Sequence, residues 1–146
     1  AAYLTHEAWL QGVSFYVDQR AIVPRSFIAE LIADGGFDAW LSDHTRQVLD
    51  LCTGNGSLAV LAAMAWPEIH IDAADISEDA LDLARENIAR FRALCGPDVA
   101  ILAVLKSNAV QYLQKWDRHT GDKAPYTQVR EHIAGSMARA GAGWRA

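Results

Sequence analysis

Long apolar stretches are missing from this sequence. The longest, Leu58 to Trp66, has nine residues, whereas a bilayer span needs about 20, so no membrane partner is expected. No basic-then-apolar leader with a cleavage site opens the chain, which speaks against secretion. It begins on Ala1 rather than Met, as a fragment or a processed chain does. Cysteine is scarce, with Cys52 and Cys95 alone. Two such residues cannot build a disulfide scaffold and lack metal-ligand spacing, so reduced thiols in a cytoplasmic protein are expected, with Cys52 a small buried packing residue. The five histidines, His6, His44, His70, His119 and His132, are scattered without ligand spacing, and no metal is expected. Neither a P-loop nor a Gly-x-Ser-x-Gly elbow occurs, which excludes a common phosphate cradle and a common nucleophile turn. Trp9, Trp40, Trp66, Trp116 and Trp144 are expected to pack in the interior rather than to stack on bases.

Positive charge is also in short supply where it would matter for nucleic acid. Residues 1–114 carry 7 basic and 15 acidic side chains, and residues 115–146 carry 6 basic and 3 acidic. An acidic body without clustered Lys and Arg cannot neutralise phosphates, so no specific nucleic acid is expected. The basic end could touch RNA or an acidic partner, but reads first as a solvated, poorly ordered tail.

What is present is a chain of 146 residues, 51% hydrophobic, the size of about one globular domain. Residues 3–23 read as an extended hairpin, with Trp9, Phe15, Tyr16, Val17, Ile22 and Val23 favouring strands and turns offered at Gly12 and Asp18-Gln19-Arg20. After Pro24, Ser26 caps a predicted helix with Phe27, Ile28, Leu31 and Ile32 on its buried side, stopped by Gly35-Gly36. Val48–Leu51 is a buried strand, Thr53-Gly54-Asn55-Gly56 a turn, and Ser57–Trp66 an apolar helix ended by Pro67. Ile69–Asp75 is a second strand. Ser77 then caps a helix with the stripe Leu81, Ala84, Ile88, Phe91 and the outer pairs Asp82–Arg85 and Glu86–Arg90. Gly96-Pro97 breaks it, and Val99–Leu105 is a third strand. Alternating strands and helices imply a parallel sheet with right-handed crossovers. Three strands leave part of that sheet short of cover, which the tail or dimerisation would supply. Beyond it only a weak helix, Gln128–Ala140, is read. The organisation is thus a hairpin element at 1–23, a nucleotide-binding half at 24–114 and an atypical basic tail at 115–146.

The chemistry concentrates where the first strand of the sheet turns into its helix. Gly54 and Gly56 permit positive φ and let backbone N–H groups approach a ligand. Asp75 follows Gly54 by 21 residues, at the end of the next strand, where its carboxylate can accept both hydroxyls of a ribose. This constellation predicts nucleoside binding. A dinucleotide needs its pyrophosphate at the helix N-terminus. S-adenosylmethionine instead carries a sulfonium and an ammonium, which Asp50 suits electrostatically. The bland alternatives are an Asp50 that hydrogen-bonds the loop and an Asp75 that caps the following helix.

The stretch VLDLCTGNGSLAVLAAMAWPEIHIDAADIS resembles the first motif and second strand of class I S-adenosylmethionine-dependent methyltransferases. AAYLTHEAWLQGVSFYVDQRAIVPRSFIAELI is similar to the hairpin and Pro-Arg segment of the protein-(glutamine-N5) methyltransferases, nearest the branch that modifies ribosomal protein three of the large subunit. The resemblance covers residues 1–95, extends loosely to 114, and stops there. It implies an α/β fold: a Rossmann-like parallel sheet of a class I methyltransferase, incomplete and preceded by a β-hairpin. It implies S-adenosylmethionine as cofactor and a glutamine side-chain amide of a ribosomal protein as acceptor. By position Asp50, Thr53, Gly54 and Gly56 would line the methionine end. Asp75 would hold the ribose, Ile76 would lie against the adenine, and Asn108 would meet the adenine amino group. Pro24-Arg25 matches a segment that borders the active site.

The family's amide-binding loop, Asn-Pro-Pro-Tyr, has no counterpart in this sequence; Ser107-Asn108-Ala109-Val110 echoes it only superficially. Methyl transfer gains mostly from positioning, so the alternative function is a noncatalytic nucleoside-binding or interaction module. A nicotinamide-dependent oxidoreductase is a third reading, permitted by Gly54-x-Gly56-x-x-Ala59 but leaving the hairpin and Pro-Arg segment unexplained.

Overall fold

Alternation of apolar strand and apolar helix forces each strand pair to lie parallel, because a crossover helix returns the chain to the same end of the sheet. The computed structural model describes residues 1–96 and, for the backbone, 101–106. All belong to Ala1–Lys106, the first of two units of the chain; the second is Ser107–Ala146. Strands β3 (Gln47–Leu51), β4 (His70–Asp75) and β5 (Ile101–Lys106) form a three-stranded sheet in the order β3-β4-β5, parallel throughout. Leu51 pairs with Ala74 and Asp75 with Lys106. The second strand starts one residue later than its apolar run suggests: Ile69 precedes β4, and its N–H donates to the Trp66 carbonyl.

Ahead of the sheet lie helix α1 (Ala2–Thr5), which had no sequence signal, and the antiparallel pair β1 (Glu7–Leu10) and β2 (Val13–Tyr16). Leu10 pairs with Val13 across Gln11 and Gly12, whose φ values of 50° and 75° give the two left-handed residues a tight hairpin prefers. The hairpin is shorter than expected. Ile22 and Val23 are not strand; Tyr3 holds them, its hydroxyl donating to the Ala21 carbonyl at 3.2 Å and accepting from the Val23 N–H at 3.3 Å. Phe15 and Val17 are buried, and Phe15 belongs to the core cluster with Ala29, Val60 and Ile71.

Helix α2 (Phe27–Ala33) starts where Ser26 predicts, its Oγ accepting from the Ile28 N–H at 3.1 Å. Its buried side agrees with the expected one at Ile32 alone. Ala29 and Ile32 face inward, while Phe27 is 84% exposed and Ile28 and Leu31 are also exposed. Every residue of this helix except Glu30 is apolar, so periodicity marks no face, and the small Ala29 lets the helix approach α3 closely. A 3-10 turn follows at Asp38–Trp40. Trp9 and Trp40 are exposed, against expectation, because neither the hairpin's outer face nor that turn has a layer over it among the described residues. Trp66 is part-buried, with Phe37 edge-on at 6.0 Å. Trp116, Trp144, the helix read at 128–140 and the basic tail lie outside the described residues.

Helix α3 (Ser57–Ala65) is apolar along its length and largely buried. Helix α4 (Glu78–Cys95) is amphipathic as read: Leu81, Ala84, Ile88 and Phe91 are buried, and Arg85 and Arg90 pair with Asp82 at 2.7 Å and Glu86 at 3.1 Å. Ser77 Oγ accepts from the Ala80 N–H at 3.3 Å, Glu78 and Asp79 sit in the first turn, and Gly96, at φ 98°, ends the helix. These choices satisfy the helix ends and match the macrodipole.

The hairpin's attachment is testable. Replacing Phe15, 2% exposed, with Ala is expected to cost about 3–5 kcal/mol in urea unfolding. Trp9→Ala on the exposed face should stay within about 0.5 kcal/mol. Equal effects of the two would show a hairpin that is not part of the core.

Candidate functional site

The C-terminal ends of β3 and β4 open into a crevice of about 410 Å³, the place where open parallel sheets offer backbone amides to a ligand. One wall is the loop at Cys52 to Leu58 with Asp75, Ser77 and Ala80. The facing wall is the segment Arg20 to Ser26, including Pro24 and Arg25.

The loop owes its path to three left-handed residues, Cys52 (φ 63°), Gly54 (φ 58°) and Gly56 (φ 79°). The two glycines serve different ends. A Cβ on Gly54 would meet nothing within 4 Å, whereas one on Gly56 would stand 3.1–3.2 Å from Ala84 Cβ and Cα. Gly54 therefore keeps open space at the crevice and Gly56 lets the loop seat against α4. Cys52 carries its left-handed geometry with a side chain, a strain typical of ligand-binding loops. It is free and exposed, not the buried packing residue expected, because the turn points it outward. Partial shielding of its sulfur from water and the charges of Asp75 and Asp50 push its thiol pKa up, which makes it a poor nucleophile.

Two carboxylates hold the loop. Asp75 Oδ2 accepts from the Gly54 N–H at 3.0 Å and Asp75 Oδ1 from the Ser77 N–H at 3.0 Å. It thus ties the loop to the start of α4 while lining the crevice. Asp50 stands behind Thr53, whose hydroxyl donates to Asp50 Oδ2 at 2.5 Å. Loss of water raises the Asp50 pKa, hydrogen bonds from Thr53 and the Ala59 backbone oppose that, and the charge of Asp75 adds to it.

Of the residues singled out in the sequence, Thr53, Gly54 and Asp75 line the crevice together. Asp50 and Gly56 support the loop from behind, and Ile76 lies exposed next to Asp75. Asn108 lies outside the described residues. Two asparagines to which sequence pattern assigns no role also hold the loop. Asn55, 3% exposed, accepts from the Ser57 N–H through Oδ1 at 3.3 Å, and its Nδ2 has no partner among the described residues. Asn87, on α4, donates to the Asn55 carbonyl at 2.9 Å. Its signal in the sequence was a polar residue inside an apolar helical stripe.

Comparison with known proteins agrees in direction. A family model described as "Methyltransferase small domain" matches residues 37–115. The ribosomal protein uL3 glutamine methyltransferase of Bordetella pertussis is 54% identical over 93 residues, covering 62% of this chain and 31% of the relative. That of Xanthomonas campestris is 53% identical over 94 residues, covering 64% and 30%. The chain spans about a third of the length of these relatives. Among solved structures, a SAM-dependent methyltransferase from Agrobacterium tumefaciens matches with TM-score 0.52 and 23% identity, over 77% of this chain and 35% of that one. It shares the fold.

Two outcomes follow from the loop. Gly56→Ala adds left-handed strain and a clash with α4, and is expected to cost about 2–4 kcal/mol. Gly54→Ala adds the strain alone, about 1–2 kcal/mol; urea midpoints rank the two, and the reverse order would remove the distinction. Asp50, with a folded pKa above its unfolded value, holds its proton more tightly when folded. Stability therefore falls as pH rises from the ordinary carboxylate pKa, about 4, through the raised one. Asp50→Asn should abolish that slope in unfolding curves measured from pH 3.5 to 8 and leave the free chain more stable at pH 7. An unchanged slope would mean that Asp50 is not the group responsible.

Proposed function

The chain belongs to the methyltransferase small-domain family, and on that premise we propose that it carries the S-adenosylmethionine site of an enzyme that methylates a glutamine side-chain amide of a ribosomal protein. The observation that carries this reading is the Asp75 carboxylate, hydrogen-bonded to Gly54 N–H at 3.0 Å on the wall of the crevice. Each Asp75 oxygen accepts one backbone bond and has a second lone pair left for a ribose hydroxyl.

The residues present fit such a cofactor. Gly54 leaves open space where a side chain would intrude, and Asn55 Nδ2 is a buried donor still without a partner among the described residues. Asp50 and Asp75 supply the anions a sulfonium and an ammonium favour. Bound there, S-adenosylmethionine supplies an electrophilic methyl group. The chain's own work is to accept the ribose hydroxyls at Asp75, to present loop amides from Gly54 onward, and to offset positive charge at Asp50 behind Thr53. Ile76 would lie against the adenine, and Asn108, which lies outside the described residues, would by its place in the family pattern meet the adenine amino group. Pro24 and Arg25 close the facing wall.

The acceptor rests on the relatives, which are named for the glutamine of ribosomal protein uL3. We retain the division into a hairpin at 1–23, a cofactor half at 24–114 and a tail at 115–146, and a cytoplasmic setting in which a ribosomal protein is met. No helix among the described residues is long and apolar enough to cross a membrane.

Calorimetry on the chain tests the cofactor assignment. S-adenosylmethionine and its demethylated product are expected to bind and NAD is not. Asp75→Ala should weaken binding by about 10–100-fold, the loss of charged hydrogen bonds worth roughly 1.5–3 kcal/mol. Binding of NAD alone would overturn the assignment.

A further inference from the structure

We infer that Asn87 is a positioning residue that couples the hairpin to the glycine loop, so that the loop's competence to hold a ligand depends on where the hairpin sits. For its ligand the inference rests on the cofactor reading above; the coupling itself does not.

Tyr16 ends β2 and lies outside the residues lining the crevice. Its N–H donates to Asn87 Oδ1 at 2.8 Å, and its carbonyl accepts from Asn87 Nδ2 at 3.0 Å. The side-chain amide thus pairs with both backbone groups of one residue, as a residue of a neighbouring strand would. A reciprocal pair of bonds fixes the plane of a planar amide. With that plane fixed, the second N–H of Nδ2 reaches the Asn55 carbonyl at 2.9 Å. Asn87 is 3% exposed, so water cannot readily replace any of these bonds.

The loop needs an outside hold on this side. Cys52, Gly54 and Gly56 are all left-handed, and Asp75 secures the loop only at Gly54. Asn55 lies between the glycines, is held at its carbonyl by Asn87, and passes the constraint through its own Oδ1 to the Ser57 N–H at the start of α3. The hairpin end of the linkage is itself fixed. The Arg90 guanidinium lies 4.7 Å over the Tyr16 ring, and His6 stacks on that ring at 5.4 Å. A hairpin displacement therefore turns the Asn87 amide and frees Asn55.

Amide hydrogen exchange on the whole chain, read by NMR, tests this. In the unaltered chain the Tyr16 amide and the Gly56 and Ser57 amides should exchange with one common opening constant; independent constants would overturn the coupling even if no variant folds. Asn87→Ala should speed exchange at Gly54 to Ser57 at least tenfold beyond the change elsewhere, and weaken S-adenosylmethionine binding at least tenfold. Ile88→Val, the neighbouring core change, should shift all amides together and leave binding unchanged. Asn87→Asp keeps the acceptor for Tyr16 and loses both donations, so it should repeat the loop effect. A uniform rise in exchange for the Asn87 variants, like that of Ile88→Val, would reduce Asn87 to a structural residue. If the unaltered chain fails to bind S-adenosylmethionine, the cofactor reading fails, and the exchange data alone decide the coupling.

Discussion

A carboxylate at the end of one strand holds the loop at the end of its neighbour. Asp75 on β4 accepts from the Gly54 N–H after β3 at 3.0 Å, and the site depends on that contact. It can form only because β3 and β4 run parallel, with Leu51 beside Ala74; in an antiparallel pair the acid and the loop would emerge at opposite edges. The parallel arrangement follows in turn from α3, whose apolar length must pack on the sheet while carrying the chain back to its starting edge. The position of the acid is thus set by the fold and not by local turn chemistry. The Thr53 N–H bond to the Ala74 carbonyl at 2.9 Å extends the same strand pairing one residue into the loop.

That loop is held away from its own energy minimum. Cys52 is left-handed with a side chain in place, and Asp50 is withdrawn from water with a second carboxylate near enough to oppose its ionisation. An Asn55 donor is buried without a partner among the described residues. All three are unfavourable in the free chain; the last two are of the kind that a ligand bringing positive charge and acceptor atoms would relieve. Such trade-offs between stability and ligand binding are common at functional loops. The compensation comes from ordinary packing close by: Gly56 against Ala84 and the buried stripe of α4.

Where a single strong signal existed, the sequence was legible. Ser77 followed by an amphipathic run defined α4, its inner stripe and its outer ion pairs. The glycine turn between two apolar segments located the loop, and spacing placed Asp75 near it. The family resemblance supplied what residues alone could not, the choice of cofactor and acceptor. Legibility failed where signals were absent or symmetrical. In α2 nearly every residue is apolar, so the pattern placed Ile32 inward correctly but could not say that Ala29, rather than Phe27, Ile28 and Leu31, faces the core with it. Ile22 and Val23 have strand propensity, but their segment is held by the Tyr3 hydroxyl, a long-range contact no local pattern announces. Trp9 and Trp40 look like core residues by size alone. Asn87 broke the stripe of α4 in plain view, yet its meaning lies in a bond to Tyr16 seventy-one positions away.

The two walls of the crevice differ in kind. One is made of strand ends and the helix starts they lead into, elements whose backbone groups are mostly satisfied within regular structure. The other, Arg20 to Ser26, has no regular structure of its own before α2 begins. It is tied to α1 through Tyr3 and to α4 through Arg20, which pairs with Asp18 at 2.7 Å and with Glu86 at 3.3 Å. Half-exposed ion pairs of this kind contribute little stability, so this wall is the softer one. The hairpin is fastened by harder contacts, the buried Phe15 and the Asn87 amide. A ligand between the walls therefore meets a fixed floor of loop amides and Asp75, with a cover that can adjust.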